Sequence, residues 1–223
     1  LLAEGDSADK VAVTDLTAQA KEQSGDRAAL TMAKVEELRA EIKAAEVMAR
    51  AMGQSRKSLL NTLEAALSIS SPEFLLGLPR EALADFILQA GFGLTIDDFI
   101  EQSDRVAAAA LEAIQVLEPT ATTASVQAQL DSFRVAAVDA VFQDVIIPDT
   151  TKAVREALQG MTLGVSLTAS MGRLSDQMQR SEGRQLTELR TKIASYGRQV
   201  TAAVGESAGL DLYLYTGPRD GIT

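Results

Sequence analysis

Carboxylates are the only side chains in this sequence whose type and spacing could support metal binding or acid–base work. Asp97, Glu101 and Asp104 fall at i, i+4 and i+7, with Asp98 beside them, so a helix would gather them on one face. Such oxygen ligands suit Mg²⁺ or Ca²⁺, but sites of that kind draw on loops or converging elements rather than one helix face. Thr95-Ile96-Asp97-Asp98 also has the form of a helix start, with a hydroxyl at the N-cap and acids in the first turn. A solvated acidic face reinforced by capping is the expectation, and the same holds for Glu36, Glu37 and Glu41. No metal or cofactor site is expected.

Histidine and cysteine are both absent. Without them there is no His-based triad, no thiolate nucleophile, no sulfur-ligated zinc and no di-iron site built on Glu-x-x-His. The lack of cysteine leaves the redox compartment open. Gly217-Pro218-Arg219-Asp220-Gly221 superficially resembles a phosphate loop, yet it lacks the Lys-Ser/Thr ending and no helical pattern follows. It reads better as a turn, with Asp-Gly a favoured reversing dipeptide. The expectation is therefore a protein that is not an enzyme and takes no small-molecule substrate.

The elements that would position any site are helices. Hydrophobic residues make up 46% of the chain but aromatics only 4%, so alanine, the best helix former, carries much of the apolar content. Few large side chains make a thin core per helix and favour an elongated bundle of close-packed helices. The fold class expected is all-α: an elongated antiparallel helical bundle with long heptad-patterned helices and a short C-terminal β-strand or hairpin start. No apolar run is long enough to span a bilayer. The start at Leu1 rather than Met is read as marking an internal or processed piece of a longer product.

Charge is uneven along the chain. Residues 1–147 carry 12 basic and 23 acidic side chains, whereas residues 148–223 carry 9 and 8. The acidic front repels nucleic acid. Between Arg173 and Arg198 six basic residues stand against three acidic ones, an excess that suits an acidic protein surface and falls far short of a DNA footprint.

Three regions are expected: a flexible or peripheral arm over 1–30, a helical bundle over 31–209, and the start of a C-terminal β module, cut short, over 210–223. Val35, Leu38, Ile42, Ala45, Ala49 and Met52 predict a helix over 28–52 that stops at Gly53. A second helix follows over 55–69, and Pro72–Gly93 reads as a compact apolar cap of short helices. Further helices are predicted from Thr95 to Glu118, from Thr122 or Thr123 to a stop before Pro148, over 149–159 and over 166–179. The cleanest heptad comes last, with Leu186, Leu189, Ile193, Tyr196, Val200 and Ala203 on one seam. Gly183 or Gly197 within it marks a kink or a tight helix contact. Gly205 and Gly209 close the helix.

The run after it alternates as a strand does, with Leu210, Leu212 and Leu214 on one face and Asp211, Tyr213 and Tyr215 on the other. A lone strand is not stable, so Leu212 to Tyr215 must pair with residues beyond Thr223 or with another chain. A Gly-rich helix end, a tyrosine-bearing strand and a Gly-Pro-x-Asp-Gly-x-Thr turn resemble minor head proteins of tailed bacteriophages, the head-morphogenesis group. The resemblance covers about Arg184 to Thr223, with Asp220 and Thr223 its matching polar positions; in that group the Asp-x-x-Thr element is usually followed by Arg and then Cys or His.

The resemblance implies a virion structural protein, assembled in the host cytoplasm, multi-copy, and bound to portal, capsid or neck proteins. It implies no sequence-specific nucleic-acid contact. The interaction residues expected are Arg184, Arg190, Lys192 and Arg198 on the helix, and Leu212, Tyr213, Leu214, Tyr215, Arg219 and Asp220 on the strand and turn. The alternative is a non-viral long-helix scaffolding or signalling module that forms a homodimeric coiled coil.

Overall fold

The computed structural model describes residues 2–22 and 25–210. In these the fold is all-α: α1 (Leu2–Glu22), α2 (Asp26–Ile69), α3 (Pro72–Leu76), α4 (Arg80–Ile87), α5 (Gly93–Gln115), α6 (Gln127–Val138), α7 (Ile147–Thr162) and α8 (Leu167–Ser207). No strand occurs among the described residues, and the predicted strand Leu212–Tyr215, with Arg219 and Asp220, lies outside them.

Two long helices form the frame. α2 runs 44 residues and α8 runs 41, each about 60–65 Å at 1.5 Å per residue. They lie antiparallel, Arg56 pairing with Glu182 and Glu37 lying beside Gly197. α5 packs between them, and α1 lies along α2, so the segment read as an arm is in large part a helix laid on the frame. α1 is tied at one end by Asp9 to Arg190 of α8 and by Lys10 to Glu46 of α2 at 3.9 Å.

The core divides along this length. The larger part gathers Met48, Leu59 and Leu63 of α2, Ile87 of α4, Phe99 of α5, Phe142, Leu158 of α7 and Leu174 of α8. Phe99 and Phe142 meet edge to face, centroids 5.8 Å apart and planes at 76°, as the ring quadrupoles prefer. The smaller part holds Ala110, Ile114, Leu130, Tyr196, Val200 and Val204. The whole predicted seam of α8, from Leu186 to Ala203, is buried within the one chain.

Several predicted boundaries move, each for a physical reason. α2 passes unbroken through Gly53, where a Cβ would meet nothing within 4 Å. One glycine costs a helix about 1 kcal/mol, less than the continuous apolar face on either side returns. Pro148 does not end a helix either, because residues Asp139–Ile146 widen into a π-helical segment that leads into α7. The amide of Ile147 bonds to Phe142 O, five residues back. Proline lacks an N–H and crowds the carbonyl four residues earlier, and the wider turn accommodates both. With the extra residue in the turn, Ile146 and Ile147 are buried while Val145 is only partly so.

Thr95 is not an N-cap. It is buried two residues inside α5, its hydroxyl 2.6 Å from Ser55 Oγ. The chain turn is made earlier, at Gly91, whose φ of +136° only glycine adopts readily. A Cβ there would also come within 3.2 Å of Ser58 Cβ. Helices 166–179 and 186–203 are one helix, α8, which Ser166 opens by accepting from the Ala169 amide at 3.3 Å. Its end matches the expected glycine signals: Gly209 takes φ +70°, and Leu210 N donates to Gly205 O at 3.0 Å. In the cap region Leu75, Leu83, Ile87 and Phe92 are buried in the main core, but Phe74 is exposed.

The two glycines singled out in α8 differ. At Gly183 a Cβ would meet nothing within 4 Å, whereas at Gly197 it would stand 2.8 Å from Cγ1 of the fully buried Val106. Valine is stiff at χ1, so α5 and α8 would have to separate. Gly197→Ala should therefore destabilise the fold by about 1–2 kcal/mol despite its helix propensity, and Gly183→Ala should stabilise it by up to about 1 kcal/mol. Denaturant unfolding of the two variants beside the parent measures both signs.

Candidate functional site

Expected interaction residues on α8 are placed differently from one another. Arg184 donates to Asp149 of α7, and that hydrogen bond, with the Asp149 charge behind it, raises the guanidinium pKa. Arg190 pairs with Asp9 of α1 and is mostly covered. Lys192 is half-buried, while Arg173, Arg180 and Arg198 are exposed. Two of the four cations expected to meet a partner thus hold the chain's own helices together. Arg180 and Arg184 line a shallow groove of about 360 Å³ between α7 and α8 with Asp149, Lys152, Glu156 and Gln177, a surface of mixed sign. Leu212, Tyr213, Leu214, Tyr215, Arg219 and Asp220 lie outside the described residues.

The acidic face of α5 is divided into pairs. Glu101 accepts from Arg105 at 2.5 Å and Asp104 from Arg134 of α6 at 3.0 Å, and Arg134 also reaches Asp131 at 2.8 Å. Among the described residues no group of three Asp or Glu side chains could hold a metal ion. The Arg134–Asp104 pair ties α6 to α5, and both helices pack on α8, where Tyr196 sits buried. Burial first, and then the Asp104 charge, raise the Tyr196 phenol above its ordinary pKa although Arg134 opposes them. Burial by itself would lower the Arg134 pKa, but Asp104 more than offsets it and the net shift is upward.

Glu37 corrects the expectation of a solvated acidic face. It is 4% exposed, held by Lys34 Nζ at 2.6 Å, and its Oε1 lies 4.0 Å from where a Cβ of Gly197 on α8 would stand. On the helical wheel Glu37 stands about 100° from Leu38, beside the buried stripe, so spacing along α2 gives no sign that α8 covers it.

The most polar interior feature lies at the middle of the bundle, beside the Gly91 turn. Ser55 donates to Gly91 O at 2.9 Å, in a cluster with the Thr95 hydroxyl. One turn away, Arg56, Thr150, Ser181, Glu182 and Gln185 surround a cavity of about 10 Å³, room for one water at most. Gln185 is 3% exposed and its Nε2 has no hydrogen-bond partner. The Ser55 and Ser181 hydroxyls donate to the Gly91 and Met178 carbonyls, so both are engaged with backbone. What the cluster can do is fix register: the Arg56–Glu182 pair joins residues 126 apart in sequence. Sequence reading missed it because its members come from four helices and none forms a local pattern.

Compared with known proteins, the chain matches no family model, no curated protein and no solved structure.

Two measurements test this account of the polar contacts. Gln185→Leu removes an unpaired buried amide and should leave stability unchanged or higher, whereas Arg56→Ala strands Glu182 and should lose about 1 kcal/mol in urea unfolding. The Tyr196 phenol binds its proton more tightly folded than unfolded, so its contribution is complete below the ordinary value near pH 10 and is lost as pH rises through the raised folded value. Tyr196→Phe should therefore flatten the alkaline fall in the unfolding midpoint, with little change at neutral pH.

Proposed function

We propose that the chain is a structural virion protein of a tailed bacteriophage, a minor head or portal-associated component that acts by protein–protein assembly. The observation that carries this reading is the C-terminal run. A long helix ends in Gly205 and Gly209, then come Leu212-Tyr213-Leu214-Tyr215 and the Gly-Pro-x-Asp-Gly-x-Thr turn, which resembles the head-morphogenesis group. Asp220 and Thr223 are the polar positions that match.

Chemistry supports assembly over catalysis, since a sequence with neither histidine nor cysteine lacks the usual base and nucleophile near neutral pH. Partners on this reading are portal, capsid or neck proteins, met in the virion by Arg198 and the other exposed cations of α8 and by the strand edge. The competing homodimeric coiled coil is disfavoured by one observation: Leu186, Leu189, Ile193, Tyr196 and Val200, the seam such a dimer would share, are already buried within a single chain.

Mass spectrometry of purified phage particles provides the test. The reading predicts the polypeptide in several copies per particle. Particles that lack it, with the protein found only free in the lysate, would contradict the reading.

A further inference from the structure

The solvent face of α2 runs against the charge of the chain as a whole. Among its exposed positions from 39 to 61, Arg39, Lys43, Arg50 and Lys57 are cations and Glu46 is the single acid, although the net charge is −10. Steps of seven residues separate Lys43, Arg50 and Lys57, so they stand in one row, about 10 Å apart along the axis and about 20 Å from first to last. The other side of α2 is fixed in the core by Ala44, Met48, Ala51 and Leu59, which holds that spacing in advance of any partner.

The chain's own carboxylates leave this row alone. Arg39 is paired with Glu36, and Glu46 with Lys10 of α1 at 3.9 Å. Arg50 donates to the backbone O of Glu46 at 3.3 Å, and among the described residues no carboxylate pairs with Lys43, Arg50 or Lys57. Lys43 and Arg50 also border a groove of about 510 Å³ between α1 and α2, where the half-buried Val13 and Ile42 supply apolar surface.

We infer that this face is the docking site for an acidic amphipathic helix of another protein, laid along the α1–α2 groove with carboxylates on Lys43, Arg50 and Lys57 and apolar side chains on Val13 and Ile42. Charge and spacing select that occupant. Helices lying side by side bring side chains into register every seven residues, the repeat of interhelical ion pairs in coiled coils. Duplex DNA presents about twelve phosphates over the same length, so most of its charge would go unmatched. A second copy fits poorly, because no helix of this chain carries carboxylates at three successive seven-residue steps. An anionic membrane finds no aromatic anchor, since α1 and α2 contain no Trp, Tyr or Phe.

Three solvent-exposed ion pairs and a shallow apolar floor make a weak complex, with a dissociation constant on the order of 100 µM at low salt. Neither the virion reading nor the cations of α8 enter into it. Fluorescence anisotropy with the full chain tests it, the probe being a labelled alanine-rich peptide of three heptads with one glutamate and one leucine in each. Binding should saturate, and should weaken at least about threefold when salt rises from about 50 to about 300 mM. Lys43→Glu combined with Arg50→Glu and Lys57→Glu should weaken it at least about tenfold. Arg173→Glu with Arg180→Glu, exposed on α8, should change it by less than about twofold. A peptide of the same composition with its glutamates clustered at one end should bind at least about threefold more weakly. Circular dichroism of each variant confirms that it folds. No saturable binding, equal binding of the clustered peptide, an unchanged affinity in the α2 variant, tighter binding of a duplex oligonucleotide at this face, or self-association of the chain that the α2 substitutions abolish would overturn the proposal.

Discussion

The close approach of α5 and α8 at Gly197 sets the dimensions of the whole bundle. With few large side chains to fill space between helices, burial has to come from shortening the distance between axes. At Gly197 the approach leaves no room for a Cβ, which would stand 2.8 Å from Val106 Cγ1. Around it, α2 delivers Val35 and Leu38, and Glu37 is buried with them beside Gly197, while Glu36 and Arg39 on the other side of the helix stay exposed. The buried carboxylate keeps its Lys34 partner at 2.6 Å, as a charge taken from water requires.

A second constraint operates half a helix away. α2 continues straight where the chain between α4 and α5 must turn, and only glycine at position 91 allows the turn and the contact with Ser58 together. The carbonyl exposed by that turn is taken by Ser55, whose neighbour Arg56 reaches Glu182 on α8. Register along both long helices is therefore set at two separated points by polar or steric contacts, and the apolar seam between them is free to be made largely of alanine, valine and leucine.

Much of this was legible in the sequence and some was not. The all-α class, the buried α8 seam and the Gly209 helix end are local signals, and local signals survive folding. Gly53 and Pro148 misled because each is a breaker only when nothing outweighs it: the first sits on an open helix face, and the second is absorbed by a π-helical widening. Thr95-Ile96-Asp97-Asp98 has good capping chemistry, but Ser55, 40 residues away, uses the threonine hydroxyl instead. The Gln185 cavity and the pairings of Arg184 with Asp149 and Arg190 with Asp9 depend on which helices become neighbours, which residue spacing along one helix does not encode.

These contacts lead to one central claim: the long helices of this protein complete their hydrophobic seams within a single chain. Hydrogen exchange on the chain diluted below micromolar concentration tests this most directly. The claim predicts that amides around Leu59, Val106, Leu189 and Val200 stay strongly protected in a species that sediments as a monomer. Protection that appears only when chains associate would mean that the seams are filled between molecules, and would contradict it.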